Sequence, residues 1–309
     1  MARPLVQLVA TGGTIAMTGA PARPALSGEE LIAAVPELAE IAELRVEQLS
    51  NVPGVNLDPP AMARAIAAAS HGLGAGAVIT QGTDTIEETA ELAHLVWSHE
   101  EPLVITGAIR TGGGTGSDGP RNLLDAVCVA ACGHALGPVV VFDGLVHPAG
   151  EVVKSHSWRS DAFSSDTPIA EVREGRVRIL SMPRRQEPIA VKNLDAYVPI
   201  VAAAAGMDSR PLEQDADGLV IIALGAGHLP EAMLPGVDRA LANGIPVVVC
   251  ARPANGGTLE RTYGFVGSET DLAERGVILA GPASPWKARI RLLVAIALGR
   301  DPRTLFTTS

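Results

Sequence analysis

The chain has 309 residues, of which 47% are apolar and 3% aromatic, with 33 glycines and 23 prolines. That content suffices for buried cores and excludes a disordered chain, and no apolar run reaches the roughly 18 residues of a membrane span. A formal charge of −10 with no basic block argues against a nucleic-acid or anionic-membrane surface. The opening MARPLVQLVATGGT has no basic n-region, long apolar stretch or A-x-A site, so no signal peptide is expected. The cysteines, Cys128, Cys132 and Cys250, are odd in number and form no disulfide framework. A cytoplasmic enzyme is the expected class.

In chain order, the first predicted strand is Pro4–Ala10, followed by Ser27 and Glu30 in a capping-box pattern before a helix over LIAAVPEL. LRVEQL at 44–49 alternates apolar and polar residues and reads as a strand near a sheet edge. PPAMARAIAAASHGL starts with prolines suited to a first helical turn. Strands at Ala77–Thr80, Leu103–Thr106 and Val139–Phe142 are continuous apolar runs, the pattern of strands covered on both faces. Helices TIEETAELAHLVW and RNLLDAVCVAAC fall between them, the second carrying Cys128 and Cys132 one turn apart as packing residues. A second series places strands at Val198–Val201, Leu219–Ala223, Val247–Cys250 and Gly276–Leu279, with helices LPGVDRALANG and KARIRLLVAIAL. Such alternation predicts an α/β fold: a doubly wound, mainly parallel sheet with right-handed crossovers, and a second, smaller α/β domain. The polar, proline-bearing stretch at 181–195 sets the expected division: residues 1–182, a linker 183–194, and residues 195–309.

Ligands of open α/β sheets bind outside the carboxyl ends of the strands, so the residues that follow each strand matter most. The first strand runs into Thr11-Gly12-Gly13-Thr14 and the third into Gln81-Gly82-Thr83-Asp84-Thr85. Taken alone, the first segment reads equally as a tight glycine turn, and the second as a capped helix start with Asp84 or Thr85 accepting a backbone N–H. Two hydroxyl-rich turns at the same end of one sheet also suit a nucleophile with backbone donors for an oxyanion. Lysine is scarce: Lys154, Lys192 and Lys287 are the only three. Lys154 follows the Val139–Phe142 strand closely; as a base it has to be neutral, which calls for desolvation. No Walker A loop, dinucleotide fingerprint, H-E-x-x-H, C-x-x-C or G-x-S-x-G occurs, and the seven histidines show no metal-like spacing. His94 and His99 are read as lying on one helix and facing different ways. GGGTGSDG at 112–119 reads as a mobile loop leading into a helix started by Pro120.

Taken together, these segments resemble the bacterial asparaginase/glutaminase family of amidohydrolases over nearly the whole chain. TGGTIA at 11–16 and QGTDTIEETA at 81–90 look like its two signatures; TGAIR…GSDGPRNLLDAV at 106–127 and EVVKSHSWRSDAFSS at 151–165 follow in register. The resemblance implies hydrolysis of a side-chain amide, with Thr14 as nucleophile forming an acyl-enzyme. Thr83, Lys154 and Asp84 would form a second triad that activates a hydroxyl or water, and Asp84 would also lie near the substrate ammonium. No metal and no organic cofactor is implied. The implied partner is a small-molecule amide, L-asparagine first. The implied assembly is a homodimer or homotetramer whose sites are completed by the partner's small domain.

Three departures stand out. The family's loop after the first motif carries a tyrosine, whereas here that loop is MTGAPARPALSG and the only tyrosines are Tyr197 and Tyr263. Gly54 stands where relatives place a serine for the substrate carboxylate, leaving backbone groups of Gly54 and Val55 for that task. His228, in LGAGHLP, stands near a family asparagine that reaches the neighbouring subunit's site. These changes keep open a different amide on the same scaffold (L-glutamine, D-asparagine or a metabolite amide) and a ligand-binding protein without turnover. A tRNA-dependent amidotransferase subunit fits the acidic charge poorly.

Overall fold

The computed structural model describes residues 2–19, 21–112, 116–184 and 186–306. The chain divides into two compact units, Met1–Ala190 and Val191–Ser309. In the first, strand β1 (Leu5–Gly12) passes through a short 3-10 turn at Thr14–Ala16 into a minimal ladder of β2 (Met17–Thr18) and β3 (Arg23–Pro24). Helix α1 (Gly28–Ala33) begins at the expected capping box, with Ser27 and Glu30 each accepting the other's backbone N–H. The helix read over LIAAVPEL breaks around Pro36, and a second piece, α2 (Leu38–Ile41), follows. Proline's missing N–H and ring clash explain the break.

Next come β4 (Glu43–Val52), α3 (Pro59–Ala69), β5 (Gly76–Thr80), α4 (Ile86–Val96), β6 (Leu103–Thr106), α5 (Gly119–Ala130) and β7 (Pro138–Phe142). The remaining strands of this unit are β8 (Leu145–Pro148), the hairpin β9 (Val153–Lys154) and β10 (Phe163–Ser164), β11 (Ala170–Arg173) and β12 (Arg176–Ile179). Eight strands form one sheet in the order β12-β11-β8-β7-β6-β5-β1-β4. The five from β4 to β7 are parallel, and β4 lies at the edge as its alternating pattern anticipates. Val6, Leu8, Val78, Val104 and Val141 are fully buried and share a core with Leu31, Leu38, Leu123 and Val127 from α1, α2 and α5. Helices α3 and α4 contact the same strands from outside that core. Burying each such side chain contributes roughly 1.5–3 kcal/mol.

The antiparallel extension β8, β11 and β12 makes the sheet mainly rather than wholly parallel, as expected, though the sequence does not single out these three strands. Two tight turns build it: Asp143-Gly144 and Glu174-Gly175 each place both residues at positive φ. That backbone twist matches antiparallel hairpins of two-residue loops.

The second unit holds a parallel sheet in the order β13 (Ile200–Ala202), β14 (Leu219–Ala223), β15 (Val247–Ala251), β16 (Ile278–Leu279). Its helices are α6 (Leu234–Ala242), α7 (Glu269–Arg275) and α8 (Pro285–Leu298). The strand read from Gly276 starts two residues later, because Gly276 ends α7 in the left-handed conformation at φ 103°. All three cysteines are free; Cys128 and Cys250 are buried, and burial pushes the Cys250 thiol up to about 12. Among the described residues, no helix is long and apolar enough to cross a membrane, and no cluster of three His, Cys, Asp or Glu side chains could hold a metal ion.

His147 on β8, paired with Val140 of β7, is 2% exposed, and burial lowers its imidazole from 6.5 to about 4. The folded state thus keeps this ring neutral where the unfolded chain protonates it. The stability this gives is complete above pH 6.5 and is lost as pH falls through the window toward 4, by at most about 3 kcal/mol. Chemical unfolding of wild type and His147→Gln at pH 7.5 and 4.5 checks this: the variant's loss of stability between the two pH values is expected to be smaller by about 2 kcal/mol.

Candidate functional site

The chain goes from β1 to β4 on one side, then through α3 to β5 on the other side of β1. This reversal opens a crevice at the carboxyl ends of the strands. Three loops meet there backbone to backbone. Gly13, at φ 84°, donates its N–H to Val52 O at 2.9 Å, and a Cβ built on it would lie 2.1 Å from Gly82 N. A Cβ on Gly82 would lie 2.4 Å from Gly54 Cα. Such contacts admit only glycine. Hydroxyls lock the same loops: Thr11 Oγ1 donates to Thr80 O at 2.9 Å, Ser50 Oγ to Thr11 O at 2.9 Å, and Thr85 Oγ1 to Gly54 O at 3.1 Å.

Thr14 opens the 3-10 turn directly after Gly13, and Thr83 opens another directly after Gly82. Lys154 arrives on the short β9–β10 hairpin, where it pairs with Phe163. Its Nζ lies 2.9 Å from Thr83 Oγ1 and 2.8 Å from Asp84 Oδ1, and its backbone N–H donates to Glu87 Oε2 at 3.2 Å. The Lys154 side chain is 19% exposed and that of Asp84 57%. Thr83 is buried. A hydroxyl, an amine and a carboxylate thus line up in contact, which is the order a proton relay from an alcohol requires.

Neither Asp84 nor Thr85 caps α4 through its side chain, against the capped-start reading. Asp84 turns to Lys154 and Thr85 to the Gly54 carbonyl. Glu87, which the sequence did not single out, is a buried carboxylate on the first turn of α4. Its position just after the QGTDT motif was the available signal. Gly54 and Val55 form a 3-10 turn beside Gly82; Gly54 is buried and Val55 is 69% exposed. Residues 113–115 of the glycine-rich loop lie outside the described residues; its far end is tied by Asp118, which accepts from the N–H groups of Ile109 and Arg110 before α5 begins. His99 lies beyond the end of α4 and meets the Trp97 ring edge-on, so it does not share a helix with His94.

His228 belongs to the second unit. Its Nε2 lies 3.2 Å from Glu269 Oε2, and Tyr263 and Phe265 meet its ring edge-on. Burial pushes the Glu269 carboxyl up, but N–H bonds from Tyr263 and Thr262 and the nearby His228 outweigh it and leave the group below its usual range. The carboxylate therefore fixes the imidazole's orientation. Glu269 is a further residue the sequence reading missed, since its partner lies 41 positions away.

Residues 5–185 match the family described as Asparaginase, N-terminal, and residues 197–307 the Glutaminase/Asparaginase C-terminal domain. A probable L-asparaginase of Deinococcus radiodurans is 36% identical, over 98% of this chain and 97% of that protein. A glutamyl-tRNA(Gln) amidotransferase component of Methanococcus maripaludis is 30% identical, over 93% of this chain and 75% of its own length. The crystal structure of a probable cytoplasmic L-asparaginase from Campylobacter jejuni superposes with a TM-score of 0.86 at 27% identity, covering 98% of both chains.

The glycine stack is testable without a substrate. The methyl of Gly82→Ala meets main-chain atoms of Gly54, which have no soft displacement open to them. Overpacking of this kind costs about 1–3 kcal/mol, or a melting temperature lower by roughly 3–10 °C for a unit of this size. Gly264→Ala, whose methyl meets nothing within 4 Å, is expected to leave Tm unchanged. Differential scanning calorimetry of the two variants decides it.

Proposed function

Because the chain belongs to the asparaginase/glutaminase family and is an enzyme acting on linear amides, we propose that it hydrolyses the side-chain amide of L-asparagine to L-aspartate and ammonia. The observation that carries the mechanism is Lys154 Nζ held between Thr83 Oγ1 and Asp84 Oδ1. Thr14 Oγ attacks the amide carbon, forming the C–O bond of a tetrahedral intermediate as the hydroxyl gives up its proton. That proton passes to the leaving nitrogen, the C–N bond breaks, and ammonia departs from the Thr14 ester. The oxyanion of the tetrahedral intermediate is stabilised by backbone N–H groups of the glycine turns. Water then attacks the Thr14 ester as the Thr83–Lys154–Asp84 relay takes its proton; the acyl C–O bond breaks, the relay returns the proton to Thr14 Oγ, and aspartate leaves.

Substrate recognition follows the same loops. Asp84 meets the substrate ammonium, a reading supported by its side chain being more exposed than that of Lys154. Backbone N–H groups at Gly54 and Val55 take the α-carboxylate, since the Gly54 carbonyl already accepts from Thr85 and Leu57. His228, held by Glu269, completes the site of a neighbouring copy in a homodimer or homotetramer. A cytoplasmic setting is supported by the Campylobacter jejuni neighbour. One observation favours a second reading: Gly54 offers no side chain to the carboxylate, which suits a different amide, such as L-glutamine or D-asparagine, on the same machinery.

Ammonia release by wild type, Thr14→Ala and Lys154→Met, offered L-asparagine, D-asparagine and L-glutamine separately, tests the reading. L-asparagine is expected to be the best substrate, with each variant slower by roughly 10²–10⁴-fold, the usual range for loss of a nucleophile or proton-transfer group. Ammonia from another amide alone moves the assignment to that amide; no ammonia from a folded wild type overturns it. Light scattering under assay conditions is expected to show a dimer or larger, and a stable, active monomer sinks the assembly.

A further inference from the structure

Both ends of Lys154 are bound to one short stretch of chain. Its Nζ meets Thr83 Oγ1 and Asp84 Oδ1, and its main-chain N–H donates to Glu87 Oε2 at 3.2 Å. The 3-10 turn Thr83–Thr85 runs directly into α4, whose second residue is Glu87. The amine and the main chain of the lysine are therefore both held by the segment 83–87.

The hairpin explains why the second bond is available. Along an antiparallel pair, successive residues alternate between exchanging ladder hydrogen bonds and turning their N–H groups outward. Ser155 N–H donates across the hairpin to Ala162 O at 2.8 Å, so the N–H of Lys154 turns away from β10. This ladder has only two strands, and the acceptor for that N–H has to come from elsewhere. Glu87, 6% exposed, supplies it from α4. On the other side, Phe163 pairs with Lys154 and packs its ring on Phe142 of β7, with centroids 4.5 Å apart. Apolar packing thus keeps the hairpin in place, whereas the Glu87 carboxylate sets where the lysine main chain stands against α4.

We infer that Glu87 is a positioning residue for the amide hydrolysis: its carboxylate fixes the main chain of Lys154 so that the amine stays on the Thr83 hydroxyl. It acts through the lysine and not on the substrate. The inference rests on the reading of Lys154 as a proton-transfer group. Displacing such a group by about 1 Å costs up to about 10²-fold in rate. Because the role is geometric, a neutral acceptor at the same place serves as well.

The scarcity of lysine gives a direct readout. Labelling with ¹⁵N-lysine leaves only the main-chain amides of Lys154, Lys192 and Lys287 visible, and that of Lys154 is assigned by its loss in Lys154→Met. Its hydrogen exchange is expected to be roughly tenfold slower in wild type than in Glu87→Met, which keeps the side-chain length and removes the acceptor. On the amide that wild type cleaves best, Glu87→Met is expected to lower kcat by roughly 10–100-fold and to change KM by less than about threefold. Glu87→Gln, which retains a carbonyl acceptor, is expected to stay within about fivefold of wild-type kcat. Adding Glu87→Met to Lys154→Met is expected to cost less than about twofold more, since the lysine through which it acts is gone. A folded wild type that releases no ammonia from any amide removes the reading of Lys154, and this inference with it. With an active wild type, an unchanged kcat in Glu87→Met, a Glu87→Gln as slow as Glu87→Met, or independent losses in the double variant overturns the role of Glu87 alone. An unprotected Lys154 amide in wild type overturns it without any variant having to fold.

Discussion

The contact among Gly13, Gly82 and Gly54 is the constraint on which the site depends. Three loops from neighbouring strands touch through their main chains, at distances that exclude any Cβ. Thr14 and Thr83 each follow one of these glycines, a single Cα step of ~3.8 Å from the shared contact. The parallel strands fix where the loops start, and the glycines fix how closely they approach. The main chains at two threonines are thus brought to one place by backbone contact.

Lys154 is held differently. Its strand is two residues long, so the sheet alone anchors it weakly. Glu87 accepts its backbone N–H, and Thr83 with Asp84 holds its head group. An ion pair as exposed as that with Asp84 contributes about 0–1 kcal/mol to stability. Its value is orientation: the amine is kept on the Thr83 hydroxyl. The site therefore joins a rigid glycine floor to a lysine set by a few polar contacts.

What the sequence made legible followed from signals spread along a whole element. Leu103–Thr106 formed as read, and the strand read at Val247–Cys250 formed with one further residue, Ala251. The Ser27–Glu30 box is a local pattern and formed as read. By contrast, β8, β11 and β12 are four residues each, too short for a periodicity, and their existence rests on the turn conformations at Asp143-Gly144 and Glu174-Gly175. The side chain of Asp84 shows the same limit. Local reasoning gave it to the helix N-terminus, but a lysine 70 positions away takes it instead. The contacts Lys154 makes with Thr83, Asp84 and Glu87 are non-local, so single-residue chemistry named candidates and only family resemblance grouped the first two with the lysine.

The hairpin that carries Lys154 ties two parts of the first unit together. Ser155 and Ser164 border a neighbouring cavity, while Lys154, adjacent in sequence to Ser155, reaches the threonine floor. Ser155 N–H and His156 N–H both donate to Ala162 O, so the loop closes on itself before β10 begins. Any displacement of the loop is passed to a strand only two residues long. The bond from the Lys154 N–H to the Glu87 carboxylate opposes it, because it joins β9 to the first turn of α4, the helix that follows Thr83 and Asp84 directly. Lysine, threonine and aspartate are consequently tied to α4 by these contacts, while the outer loop keeps its own polar contacts.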